Sequence, residues 1–232
     1  MKNKKILFIC AHPDDEVLGC GGVIAKYIKQ KNNIRIIFLS EGITARYDDH
    51  DIKSKKALKE IEIRNNNALK ALKILGVKKN NIIFYNNLCC RLDTLPIISI
   101  TKIIEKNLQE FNPEVVFTHN NTDVNVDHQI CFKATLAACR PTKNQSVNQL
   151  YTFEVLSSTE WNTLNDFKPQ VFEDITDFID LKIKATKMYK NEIFLSPHSR
   201  SIEKIKALAS FRGAYVGFKY AEAFQLIRMN LR

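Results

Sequence analysis

Through the first 140 residues, short and almost unbroken apolar runs alternate with longer stretches of helical spacing. KILFICA (5–11), IRIIFLSE (34–41), NIIFYN (81–86) and EVVFTHN (114–120) are each bounded by polar or turn residues. Runs of that kind suit parallel strands buried on both faces. Between them lie EVLGCGGVIAKYIKQ (16–30), a segment from about Lys53 to Leu75, and Ile97 to Phe111. Each is long enough for a crossover helix, so the order predicts an α/β fold of three layers with right-handed crossovers and a mostly parallel central sheet. After Pro141 the pattern loosens. YTFEVLSSTEW offers one or two strands, PQVFEDITDFIDLKIKATKMYKNE reads as a strand edge leading into a long helix, and Ile202 to Arg212 as a last helix. With no Gly/Ser-rich linker and no internal repeat, the expectation is one domain over 1–232. Residues 1–140 would form its α/β core, and 141–232 would complete the fold and cap the site.

Composition adds little to that picture. Apolar residues make up 45% and charged residues 26%, with 7 Gly and 6 Pro, as in ordinary globular chains. The formal net charge of +10 would attract anions. The lysines, however, are scattered through KYIKQKNN, KSKKALKE and DLKIKATKMYK and form no basic block, so no nucleic-acid partner is expected. The cysteines, at 10, 20, 89, 90, 131 and 139, show neither CxxC pairing nor zinc-knuckle spacing. With no secretory leader they read as reduced thiols in a cytoplasmic protein. The N-terminal apolar run is cut off by His-Pro-Asp-Asp, and no stretch approaches the roughly eighteen apolar residues of a membrane span.

The chemistry gathers where the first strand should end, in CAHPDDEVLGCGG (10–22). A dinucleotide loop fails on spacing: Gly19 and Gly21 give GxG, but the third glycine position is Ile24, and the glycines follow the acids. They suit close packing of a helix on the sheet instead, and no nucleotide cofactor is expected. His12 and Asp15, three residues apart across a Pro-containing turn, can converge on one metal ion. Of the other histidines (50, 119, 128 and 198), His128 follows Asp127 in THNNTDVNVDH, beyond the fourth apolar run. Ligands of open α/β sheets collect at the carboxyl ends of strands, so both stretches reach the same rim. His12, Asp15 and His128 would make the two-histidine, one-carboxylate set of a catalytic zinc, with room for water. Helix caps and surface positions remain the plain alternatives for each residue alone.

HPDDEVLGCGG and HNNTDVNVDH resemble the PIG-L/LmbE-like family of zinc-dependent N-acetylsugar deacetylases. The resemblance continues through RLDT (91–94), ACRP (138–141), SPHSRS (196–201) and FRGAYVGFKYAEAF (211–224), so it spans essentially the whole chain. It implies a Rossmann-like fold, and a hydrolase that removes acetyl from an N-acetylglucosamine-type sugar or its conjugate. Zn2+ is the implied metal, with Fe2+ compatible with the same ligands. Carried over, the motif gives His12, Asp15 and His128 as ligands, Asp14 as general base, and Asp127 in a supporting catalytic role. In one respect the chain departs from the family's HPDH form. The position three before the last ligand is Asn125, which can hydrogen-bond substrate but cannot exchange a proton.

His198, in a Pro-punctuated loop, is the alternative acid for the leaving amine, though a surface role is open to it. Arg46, in the loop after the second strand, is expected to grip substrate through its planar fork, unless it pairs with Asp48 or Asp49. Asp93 would orient sugar hydroxyls or simply hold a turn. His119 and Asp123 would form a supporting pair behind the ligands, and His50 reads as a hydrated loop residue. The net charge and Arg46 point to a small N-acetylated sugar carrying an anionic group, with homo-oligomerisation left open. The alternatives are hydrolysis of another N-acylated amine, or a non-catalytic metal- or sugar-binding protein.

Overall fold

The computed structural model describes residues 2–142 and 145–231. Its centre is a seven-stranded sheet in the order β3-β2-β1-β4-β5-β7-β6. The strands are β1 (Lys5–Cys10), β2 (Asn33–Ser40), β3 (Ile82–Asn87), β4 (Val115–His119), β5 (Gln149–Phe153), β6 (Val171–Asp174) and β7 (Ala221–Met229). Pairings from β3 through β5 are parallel, while β7 runs antiparallel to both β5 and β6. The helices are α1 (Asp15–Lys29), α2 (Lys55–Leu75), α3 (Ile97–Phe111), α4 (Val126–Ala138), α5 (Ile179–Thr186) and α6 (Ile202–Ala214).

Alternation along β1 divides the core into two layers. Ile6, Phe8 and Cys10 pack with residues of α1, α2, α5 and α6, whereas Leu7, Ile9 and Ala11 pack with α3 and α4. Helices therefore cover both faces, as the Rossmann-like expectation requires. Helix α1 lies close to the sheet: a Cβ on Gly19 would stand 2.5 Å from Phe153 Cδ2, and one on Gly22 2.8 Å from Ile175.

The last third differs from the expected pattern. The segment 169–192 is β6, a 3-10 turn (Thr176–Phe178) and the short α5, not one long helix. The chain leaves helical geometry at Tyr189, whose hydroxyl donates to Glu16 Oε1 at 2.5 Å. Strand β7 is unmarked in the sequence because it carries polar residues inward. Glu222 on it accepts from the Gly22 and Val23 amides and from Lys182. Among the described residues no helix is long and apolar enough to cross a membrane.

From β1 the chain winds outward to β2 and β3, then returns to place β4 on the other side of β1. That reversal is a switch point, where the crevice beyond the strand ends opens. His12 follows β1 there and His119 ends β4.

Candidate metal centre

β1 hands over to α1 through a tight turn. The Ala11 amide donates to His119 Nε2 at 2.9 Å, tying the β1 and β4 ends together, and the His12 amide donates to Asp15 Oδ2 at 2.7 Å. On the other side, Asn125 caps α4 by accepting from the Asp127 amide at 2.9 Å. That turn fixes Asp123, Asp127 and His128 over the same crevice. All are buried, as are His12, Asp14, Asp15 and His119.

Each of the two histidines has one nitrogen bound to a carboxylate. His12 Nε2 lies 2.9 Å from Asp127 Oδ2, and the Asp127 carboxylate also accepts from the Cys90 and Leu92 amides at 2.7 and 2.9 Å. His128 Nδ1 lies 2.9 Å from Asp123 Oδ2. Asp123 further accepts from the Ser158 hydroxyl, from Thr159 Oγ1 at 2.8 Å and from the Asn125 amide at 2.8 Å. Carboxylates so placed assign the ring protons to His12 Nε2 and His128 Nδ1. The remaining lone pairs, on His12 Nδ1 and His128 Nε2, face each other at 3.3 Å. Asp15 Oδ1 stands 3.4 Å from His128 Nε2 and, buried, has no hydrogen-bond partner. The three atoms converge around one point, and their mutual repulsion is relieved only by a proton or a metal cation held between them. The donor set of His12, Asp15 and His128 fits a divalent metal with two nitrogens and one oxygen.

The electrostatics place that proton on His128, where a metal would have to displace it. Burial alone would lower His128, but Asp15 and Asp123 overcome it and lift the imidazole to about 10. Burial would raise Asp15, yet His128 holds it well below the usual carboxylate range. His119 is pushed down to about 4, by burial first and then by His128, so it stays neutral. Its ring stacks on His128 with centroids 3.9 Å apart. Asp123 and His119 therefore both support His128, one by a hydrogen bond and the other by its face. Asp127, expected beside His128, serves His12 instead.

Asp14 looks the other way. Its φ of 129° lies in the left-handed region that non-glycine residues avoid. Its Oδ2 accepts from Arg64 Nη2 at 2.9 Å and from Arg200 Nη1 at 2.8 Å. Burial raises the Asp14 carboxyl, with Arg64 and Arg200 pulling against it. Glu192 closes the ring: it pairs with Arg64, with Arg200 at 3.3 Å and with Arg46 at 2.6 Å. Beneath them Glu16 is lifted to about 8 by burial, which the Tyr189 and Asp14 hydrogen bonds only partly oppose.

The other expected residues sit around this centre. Arg46 is exposed on the rim but bound to Glu192, not to Asp48 or Asp49. His198 is half-buried between Phe194 and Trp161, and its Nδ1 accepts from the Arg200 amide at 3.0 Å, leaving Nε2 open. Asn125 spends its carbonyl on the cap and directs its amide nitrogen at Cys90 Sγ, 3.9 Å away. Asp93 is exposed on the turn whose Leu92 amide binds Asp127. Sequence reasoning passed over Arg64, Arg200 and Glu192. Arg64 hides in the charged run of α2, and Arg200 follows the more conspicuous His198 in SPHSRS. It also passed over Cys90, whose thiol is drawn down to about 6, chiefly by the Cys89 hydrogen bond.

Comparison with known proteins bears on this arrangement. The family described as PIG-L, GlcNAc-PI de-N-acetylase, matches residues 7–139, which hold all three candidate ligands. A chain of Escherichia coli (strain K12) named "Uncharacterized deacetylase YaiS" is 30% identical over 196 residues, covering 82% of this chain and 92% of its own length. Among solved structures, the N,N'-diacetylchitobiose deacetylase of Pyrococcus horikoshii superposes with a TM-score of 0.77 at 23% identity, over 97% of this chain and 84% of that one. GalB, the 4-carboxy-2-hydroxymuconate hydratase of Pseudomonas putida KT2440, superposes with a TM-score of 0.76 at 20% identity, over 99% and 98%. The fold therefore hosts more than one reaction, and the choice between them rests on the site.

Proposed function

Since the chain belongs to the PIG-L family, whose family-level activity is deacetylation, we propose that it is a metal-dependent hydrolase removing acetyl from an N-acetylated amino sugar or its conjugate. The observation that carries this is the convergence of His12 Nδ1, His128 Nε2 and the unpartnered Asp15 Oδ1, with the outer ring nitrogens held by Asp127 and Asp123. Those three residues would hold the metal, Zn2+ by donor type and Fe2+ as the alternative. A divalent ion there supplies a Lewis acid for the acetyl carbonyl and makes water a better nucleophile near neutral pH.

The chain's own groups do the rest. Asp14 Oδ1 is left free of the arginines that hold Oδ2, and takes the proton of the attacking water. Arg64 and Arg200 keep that carboxylate aimed and are too basic to accept the proton themselves. The amine leaves with a proton returned by Asp14 or delivered by His198 Nε2, the open nitrogen at the rim. Trp161 and Phe194, both largely exposed beside His198, offer apolar faces to a sugar ring. Arg46, already paired with Glu192, contributes less free charge to the rim than the sequence suggests.

The test is acetate release from a panel of N-acetylsugars, free, lipid-linked and nucleotide-linked, by the metal-loaded chain. Release that depends on metal and falls with Asp14→Asn is the expected result. No release from any member, with full metal occupancy, would favour a binding protein. Metal-dependent release from acylated amines other than sugars would move the substrate class and keep the hydrolase.

A further inference from the structure

Consecutive side chains of an extended segment point to opposite sides, so adjacent cysteines ordinarily keep their sulfurs apart. In the turn after β3, Cys90 has a φ of 55°, in the left-handed region, and the Cys89 and Cys90 sulfurs stand 3.8 Å apart. Two sulfurs on one tetrahedral ion, each at about 2.3 Å, are separated by about 3.8 Å. A disulfide would need about 2.05 Å. The spacing, bridged here by a Cys89 S–H donating to Cys90, matches that of two ligands sharing an ion.

Two further donors are close by. One donor atom each from His12, Cys89, Cys90 and Asp127 lie within 4.8 Å of one another. His12 is committed through both nitrogens, one toward Asp127 and the other toward the Asp15 cluster. The Asp127 carboxylate, with Oδ1 accepting only from Leu92 among the described residues, keeps a lone pair to give. Cys89 is buried and Cys90 exposed, so the pair has both a fixed floor and an entry path. Thiolate donors select soft cations, whereas the His12, Asp15 and His128 set offers no sulfur.

We propose that Cys89, Cys90 and Asp127 form a second cation site, for a thiophilic divalent ion of the zinc and cadmium class, and that filling it draws Asp127 away from His12. Binding is a simple exchange: two thiols lose their protons to solvent as two sulfur–metal bonds form, with no change of oxidation state. His12 then loses the carboxylate that orients its ring, and the first site weakens. The binding half stands on the cysteine geometry alone, while the effect on turnover rests on the proposed deacetylase function.

The experiment titrates Cd2+ into the zinc-loaded full chain, following thiolate-to-cadmium ultraviolet absorption, released zinc and acetate release together. A single added ion per chain should bring up the absorption, with acetate release falling at the same midpoint. Cys90→Ser, at an exposed position, should abolish the absorption and move the inhibition midpoint at least about tenfold higher, each rate referred to that variant's own cadmium-free rate. Cys89→Ser should do the same, and if it fails to fold Cys90→Ser decides alone. Cadmium uptake without the absorption, absorption that survives Cys90→Ser, or an inhibition midpoint unchanged by Cys90→Ser would each overturn the proposal. Absorption and stoichiometry remain readable even if no substrate yields acetate, so failure of the deacetylase function is told apart from failure of the site.

Discussion

Asp15 faces His12, His119 and His128, whereas Asp14, one residue earlier, faces Arg64 and Arg200. The two carboxylates share a turn and near-complete burial, yet their acidities move in opposite directions. The difference lies in what each neighbour can do. A histidine whose far nitrogen is bound to a carboxylate offers its near nitrogen to a metal that displaces the proton, and two of them beside a carboxylate oxygen invite such a cation. An arginine presents fixed donors and a permanent charge, and neither binds metal nor trades protons near neutral pH. Neighbouring acids whose environments separate their acidities are the pattern of divided labour in active sites. Here the division fits a ligand at Asp15 and a proton acceptor at Asp14.

Breaking the histidine side should have the largest effect. His128→Ala removes a ligand and leaves Asp123 buried beside a void, so metal content should fall to near zero and acetate release with it. Elemental analysis after exhaustive dialysis checks this, and full occupancy in that variant would remove His128 from the ligand set. Breaking the arginine side should instead cost stability. Arg64 is buried and bonds Asp14, Glu192 and the Pro13 carbonyl. Arg64→Met leaves two buried carboxylates, Asp14 and Glu192, to share the remaining Arg200 and Arg46, for a loss of up to about 3–5 kcal/mol in denaturant unfolding. A loss below about 1 kcal/mol would mean that the ring of charges contributes little.

Smaller changes sharpen the contrast. Asp127→Asn keeps a side chain against His12 but removes the charge, and should weaken metal affinity by about 10–100-fold. Competition with a chelator of known affinity measures it, and unchanged affinity would show that His12 does not depend on Asp127. Arg46→Ala should be the mildest. Its guanidinium is exposed, and Glu192 keeps Arg64 and Arg200 without it, so kcat/KM should change by less than about fivefold on neutral and anionic substrates alike. A large loss confined to anionic substrates would restore Arg46 to the role the sequence suggested.

The parallel half of the fold was legible because buried strands and crossover helices leave distinct periods in KILFICA, IRIIFLSE and their neighbours. β7 was not, since Glu222 and Gln225 interrupt its apolar pattern, and their partners Lys182 and Asn120 lie far away in sequence. The histidines and acids that gather in the crevice stand out in the sequence through their motif, but which acid bonds which histidine does not. Asp127 adjoins His128 in the chain, yet α4 turns the two side chains to different neighbours, and His12 reaches Asp127 from β1. Arg64 and Arg200 left no mark for a related reason. An arginine on an amphipathic helix or in a loop looks solvated until the fold closes over it.

The division between Asp14 and Asp15 is tested most directly by Asp14→Asn, with metal content and acetate release measured on one preparation. The account predicts metal content equal to that of the parent chain and turnover lower by about 10²–10⁴-fold. Metal lost together with activity, or activity retained with metal, would contradict it.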